Sequence, residues 1–317
     1  MTDERADYDS PWKQAIENYF SDFLVFFFPD IHADIDWEKG YEFLDQELQK
    51  IVREAELGKR FADKLVKVWK QGGQESLILL HIEVQGQPDA NFAGRMERYN
   101  YRIEDRYDLP VVSLAVLADE RKSWRPNEYR FEQWGFSRVV QFPIAKLLDY
   151  EKQWQSMEDS SNPFATVVMA HLKAQETKKN QSLRKEWKLR LTRRLYEKGY
   201  ERQDVLNLFL FIDWLISLPE DLQTSFRQDL EHYEKEKQMP YVTSIERMAK
   251  KEGLIEGLLE GIKLGLEIKF GNEGLKLLPE LLQIKELETI RAIQSGLREA
   301  TMLSEVRSIY ASDKDLA

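Results

Sequence analysis

The residues of this 317-residue chain whose types and spacing could do chemistry are Asp63, Glu83 and Gln85. They lie in the stretch FADKLVKVWKQGGQESLILLHIEVQ, Phe61 to Gln85, whose pattern predicts two strands joined by a tight turn. The first run sets Leu65, Lys67 and Trp69 on one face and Val66 and Val68 on the other. The second sets Ile78, Leu80, Ile82 and Val84 on one face and Leu79, His81, Glu83 and Gln85 on the other. Gly72-Gly73 supplies the positive φ that a hairpin turn demands. A turn centred on Gly73 brings Asp63 opposite Glu83. Opposed residues of an antiparallel pair share a face, with Cβ atoms roughly 4.5–5.5 Å apart. Asp63, Glu83 and Gln85 then converge on one patch while the valines and isoleucines bury the other side. Two carboxylates that close repel unless one is protonated or a cation lies between them. A hard divalent ion, Mg²⁺ by preference, suits such an open site completed by waters and a phosphate oxygen. The plainer alternative is two acids on the rim of a solvated strand face.

Around this hairpin the pattern predicts the elements that must hold it. Ser10 caps a helix opening at Pro11, which carries Trp12, Ile16, Tyr19, Phe20 and Phe23 and stops by Pro29. A second helix is expected over Tyr41 to Leu57, with Phe43, Leu44, Leu48, Ile51, Val52 and Ala55 inward and Gly58 ending it. Ala90 to Tyr107 reads as a helix with Phe92, Met96, Tyr99, Ile103 and Tyr107 as its apolar stripe. Arg95, Arg98, Arg102 and Arg106 form the neighbouring stripe, either holding phosphates or salt-bridged to Glu97, Glu104 and Asp105. Val111 to Leu117 is apolar on both faces, as an interior strand must be. Segments at 129–132 and 139–142 alternate and are expected as edge strands of the same sheet. The polar stretch EDSSNP, Glu158 to Pro163, marks a boundary.

Asp63-Lys64-Leu65, the hairpin, and Ile82-Glu83-Val84-Gln85 together resemble the D…ExQ variant of the PD-(D/E)XK nuclease motif. That variant occurs in the recombination-promoting nuclease and putative-transposase group. Upstream, Asp9-Ser10-Pro11-Trp12-Lys13 is similar to the group's opening Asp-x-x-Phe-Lys. Downstream, Arg95 and Tyr99 match its Arg-x-x-x-Tyr. The resemblance covers residues 9 to about 150 and implies an α/β, restriction-endonuclease-like mixed sheet flanked by helices. It also implies a metal-dependent DNA endonuclease, linked to recombination or transposition, in which Asp63 and Glu83 hold Mg²⁺ and Gln85 positions water or a phosphate oxygen. Gln85 stands where the family usually has lysine, and no first strand is evident ahead of Asp63. Lys67, on the Asp63 face, is the candidate for the missing charge; Lys64 points to the other face. Asp9 is either a helix cap or, as the resemblance implies, an assisting acid, and Arg95, nearest the end of the hairpin, is a further assisting candidate. Glu47 and Glu54 are further early-helix acids between which the sequence does not choose. The alternative function is a catalytically inactive nuclease fold that binds nucleic acid or protein.

Beyond residue 163 the pattern is helical, so the chain divides into a core at 9–158, an accessory region at 159–239 and a helical tail at 240–317. Lys178 to Arg202 holds ten Lys/Arg against three Glu, with Leu183, Trp187, Leu191 and Leu195 as its apolar face. Its basic side is either simply solvated or contacts phosphates through Lys185, Lys188, Arg193 and Arg194, which would reconcile DNA binding with a net charge of −10. In the tail, Gly253, Gly257, Gly261 and Gly265 recur every fourth residue, a smooth strip suited to close helix approach and to a homodimer through the C-terminal helices. A second tail helix is expected over Leu287 to Tyr310. The chain has no cysteine, which excludes disulfides and thiolate chemistry and fits a cytoplasmic protein. Its four histidines are scattered with no metal-ligand spacing. The acidic N-terminus is no signal peptide, and no apolar run is long enough for a membrane span.

Overall fold

A computed structural model describes residues 9–45, 48, 62–72, 76–284 and 286–310, with the backbone alone at residues 9, 10, 62, 63, 76, 244–253 and 299. Three short helices open the chain: α1 (Asp9–Asn18), α2 (Phe20–Phe27) and α3 (Pro29–Asp34). A mixed five-stranded sheet follows, formed by β1 (Tyr41–Phe43), β2 (Ala62–Lys70), β3 (Ser76–Gln85), β4 (Val111–Leu117) and an edge strand at Ile144–Lys146. The first three strands pair antiparallel and the last two add in parallel. The expected hairpin is β2–β3, and its register sets Asp63 against Glu83 and Lys70 against Ser76, as a turn centred on Gly73 requires.

Helix α4 (Phe92–Tyr107) covers one face of the sheet. Its Tyr99 and Ile103 pack with Leu65 and Leu79, and its Phe92 and Met96 with Ala115 and Leu117. Each fully buried aliphatic side chain of such a face contributes about 1.5–3 kcal/mol over its exposed state. The opposite face, carrying Lys64, Val66 and Val68, is covered by the N-terminal helices. Lys64 there donates to Glu17 of α1 at 2.9 Å and to Asp45.

Three local expectations are corrected. Tyr41 to Phe43 is strand, not helix: Tyr41 and Phe43 both pack on Phe20, with ring centroids at 4.8 and 5.7 Å, while Glu42 turns to Lys67. Alternate-side packing of this kind overrides a helical spacing. Leu48 is helical and buried, and Glu47 and Glu54 lie outside the described residues. The N-terminal helix breaks at Tyr19 and begins at least as early as Asp9, so Asp9 and Ser10 are helical residues rather than caps. The segments expected as further edge strands form their own hairpin, β5 (Glu128–Gln133) and β6 (Phe136–Gln141), separate from the main sheet, whose edge is β7 (Ile144–Lys146).

The helical half comprises α5 (Trp154–Asp159), α6 (Pro163–Glu176), α7 (Gln181–Glu197), α8 (Arg202–Leu215) and α9 (Glu220–Lys237). Trp12 of α1 ties these to the sheet, meeting Phe164 at 6.4 Å and Phe211 at 5.5 Å. Residues up to Tyr233 form one compact unit, so the polar stretch at 158–163 joins two parts of a single body. The second unit, from Glu234, contains α10 (Val242–Leu275), α11 (Leu278–Leu281), α12 (Leu287–Glu299) and α13 (Leu303–Ser308). Ile262, Leu266, Leu281, Ile290, Ile293 and Val306 are its core. Gly265 lies against α12, where a Cβ would stand 2.8 Å from Leu297 Cδ2. Gly261 faces Gln294 of the same helix, and Gly257 faces open space. The glycine spacing thus serves packing within this unit at two of its positions. Among the described residues no helix is long and apolar enough to cross a membrane.

Candidate functional site

Glu83 and Gln85 share the β3 face that α4 covers, and this burial decides their chemistry. They are 0% and 2% exposed, so neither is a rim residue on a solvated strand. Arg95, in the first turn of α4, points its guanidinium between them. One terminal nitrogen donates to Glu83 Oε1 at 2.8 Å and to Gln85 Oε1 at 2.7 Å; the other donates to Asp89 Oδ2 at 2.5 Å. Phe92 lies beneath the guanidinium, 5.2 Å from its ring centroid. Asp89 also accepts the Asn91 N–H at 2.9 Å, which turns the chain into α4 and so sets the angle at which Arg95 enters. The amide nitrogen of Gln85 donates to Gln87 O at 2.6 Å, so both ends of that amide are engaged.

A polar layer backs this cluster. His81 is fully buried on the same strand face, and its Nδ1 bonds Ser113 Oγ of β4 at 3.1 Å. Asn100 donates to Ser113 Oγ at 3.1 Å and to Val111 O at 2.9 Å. Burial, and then repulsion from Arg95, pushes the His81 pKa down to about 3. The imidazole is therefore neutral, and its Nε2 stands 4.0 Å from Glu83 Oε2. Tyr99 packs edge-on to His81 at 5.4 Å, and burial together with the Glu83 charge pushes its phenol up to about 12. Both groups are held uncharged, which concentrates the ionic character in Glu83, Arg95 and Asp89.

The remaining candidate residues are placed as follows. The Asp63 backbone pairs with Glu83 across the register; its side chain, like that of Asp9, lies outside the described residues. Lys67 pairs with Glu42 at 3.5 Å and lies 5.6 Å from the Trp69 ring, so its charge is met away from Glu83. Among the described residues no three His, Asp or Glu side chains form a metal cage. Glu83 and Asp89 both turn carboxylate oxygens to Arg95, and oxygen donors are the right kind for a hard cation.

Of the four candidate phosphate contacts on the basic helix, Lys188 and Arg194 turn inward while Lys185 and Arg193 are half-buried. Lys188 is 1% exposed, pairs with Asp213 at 2.7 Å and lies over Phe226. Arg194 is buried and donates to Thr166 Oγ1, Met157 O and Ser160 O at 2.5, 2.7 and 2.6 Å. Lys185 pairs with Asp229 at 2.6 Å, and Arg193 lies over Tyr233 at 4.9 Å. Buried polar groups must be bonded, and a long cationic side chain reaches carbonyls at helix ends well.

Sequence reasoning missed Asp89, His81, Ser113 and Asn100 as parts of the cluster. A signal was present for two of them: His81 and Ser113 each interrupt an otherwise apolar strand, and a polar residue in such a run implies a buried partner. Comparison of the chain with protein-family models, with characterised proteins and with solved structures finds no match.

Proposed function

We propose that this chain is a restriction-endonuclease-like protein that hydrolyses DNA phosphodiester bonds, with Asp63 and Glu83 as its cation ligands. The observation that carries this reading is a carboxylate buried to 0% exposure, Glu83, set in register against a second acid and held by a fixed guanidinium. The order of elements supports it as well: a strand, the strand with Asp63, the strand with Glu83 and Gln85, the helix with Arg95 and Tyr99, then a parallel strand. β1 is a strand ahead of Asp63, as the resemblance implies one there.

A divalent cation bound there would polarise the scissile phosphate and lower the pKa of an attacking water. The rest belongs to the chain. Gln85 carries no charge, but its oxygen fixes Arg95 and so brings a positive group beside Glu83 where the family pattern has lysine. Arg95 orients the Glu83 carboxylate, and the neutral His81–Ser113–Asn100 layer holds that strand face rigid. The cysteine-free composition supports a reducing, cytoplasmic setting. A homodimer through the tail rests on exposed Leu254, Leu264 and Ile268 of α10, which fall on one side with Gly257, the glycine that faces open space.

One observation favours a second reading, a catalytically silent nuclease fold that binds nucleic acid or protein: Arg95 already neutralises Glu83. Thermal melts separate the two. Mg²⁺ at about a hundred times its Kd should stabilise the wild type by about 2.7 kcal/mol and leave Glu83→Gln and Asp63→Asn unmoved. A wild type that melts identically in Mg²⁺ and EDTA supports the silent fold instead.

A further inference from the structure

The β5–β6 hairpin has no part in the Glu83 cluster, yet it stands on the same helix. Tyr129 lies over Gly94 of α4, where a Cβ would meet its ring at 3.7 Å, and Arg138 pairs with Glu97 at 2.5 Å. The cross-strand register sets Tyr129, Phe131, Phe136 and Arg138 on this α4-facing side. The other side is a closed ionic ladder in which Arg130 bonds Glu128 and Glu132. Phe136 is 60% exposed, and Trp134 at the tip is 96% exposed.

The tip is strained for its sequence. Trp134 and Gly135 are the two loop residues, closed by the Gln133–Phe136 pair, with φ of 50° and 83°. A two-residue turn with both φ positive selects Asn-Gly or Gly-Gly, because a bulky side chain crowds the backbone there. No packing in the fold offsets that cost for so exposed a ring. Strain without an internal gain marks a contact made with something else.

The charges beside the hairpin say what. At about 100° per residue along a helix, Gly94, Glu97 and Tyr101 form the hairpin-bearing stripe of α4, and Arg98 and Arg102 form the next. The stripe after that holds Arg95 and Tyr99 and reaches the Glu83 cluster. Arg138 takes Glu97, and neither Arg98 nor Arg102 makes an ion pair among the described residues. In a chain of net charge −10, two arginines without a carboxylate partner, Arg98 bonded only to the Gly94 carbonyl, beside exposed aromatic rings fit a polyanion with π faces. We propose that the hairpin is a base-stacking arm: Trp134 and Phe136 take unpaired bases of a nucleic-acid strand, and Arg98 and Arg102 take its phosphates, leading the strand toward Glu83. This rests on the preceding section for the class of ligand but not for cleavage.

The test is therefore a metal-free binding assay on the full chain, in EDTA, by anisotropy of labelled oligo-deoxythymidine and of a duplex of equal length. The wild type should prefer the single strand. Trp134→Asn should lose about 5- to 150-fold of that affinity, the value of one stacked base, while melting at or above the wild-type temperature because Asn accepts the left-handed turn. Arg98→Gln with Arg102→Gln should flatten the salt slope by about 1.4. Unchanged single-strand affinity in Trp134→Asn would overturn the proposal. So would a lowered melting temperature, which would assign the ring to the fold, or a dimer dissolved by the substitution, which would assign it to a second copy. Loss of cleavage in Glu83→Gln with binding intact bears on the cation site alone.

Discussion

Replacing Arg95 with Met tests whether Glu83 is a buried charge in need of compensation. The substitution keeps most of the side-chain volume and removes a guanidinium that donates to Glu83, Gln85 and Asp89. Glu83, at 0% exposure, would then keep its charge without that partner, and breaking a buried pair from one side costs about 3–5 kcal/mol. Glu83→Gln is milder, about 1–3 kcal/mol, because Arg95 keeps Gln85 and Asp89. The double variant should cost well under the sum, with a coupling of about 2 kcal/mol, since no buried charge is stranded. Urea unfolding followed by tryptophan fluorescence reads this cleanly: all eight tryptophans precede Tyr233, so the signal follows only the unit that holds the site. Mg²⁺ added to Arg95→Met should restore part of the loss, because a cation at Glu83 supplies the missing charge. A loss below about 1 kcal/mol, or strictly additive variants, would mean that Glu83 is protonated in the folded chain and that the electrostatic reasoning fails.

Two further outcomes follow from the packing. His81 and His171 are held neutral by burial, with pKa values pushed to about 3 and about 4. Below pH 6.5 the unfolded chain binds protons that these two refuse when folded, so stability should fall by about 2 kcal/mol for each between pH 7 and pH 5. His171→Gln should remove half of that slope; an unchanged slope contradicts the assignment. In the tail, Gly257→Ala should stabilise α10 by up to about 1 kcal/mol because the site is open, whereas Gly265→Ala should destabilise by about 1–3 kcal/mol against Leu297. Melting followed by circular dichroism reads the two signs. In sedimentation, Ile268→Glu should move a dimer to monomer, and a monomeric wild type would remove the tail-dimer proposal.

The hairpin was legible because its alternation and its glycine turn both fix register, and register alone pairs Asp63 with Glu83. The mixed sheet, the helix bearing Arg95 and the interior strand at 111–117 were legible for the same reason: their periods are strong and local. Tyr41 to Phe43 was misread because its strand character comes from Phe20, distant in sequence, rather than from its own spacing. The burial of Lys188 and Arg194 on the basic helix was not legible. Composition counts charges but not the carbonyls and carboxylates that Arg194 and Lys188 find in neighbouring helices. The role of Gln85 was half legible: its place two residues from Glu83 on the same strand face could be read, but its grip on Arg95 depends on the angle at which α4 crosses the sheet.

Cleavage of supercoiled plasmid tests the central claim most directly. Wild type should nick the plasmid in Mg²⁺ and not in EDTA. Glu83→Gln and Asp63→Asn should lose the activity by orders of magnitude while still binding DNA, and Gln85→Lys should retain or raise it by adding charge at that position. Equal nicking by wild type and Glu83→Gln, or none by wild type in Mg²⁺, would contradict the claim that Asp63 and Glu83 form a working cation site.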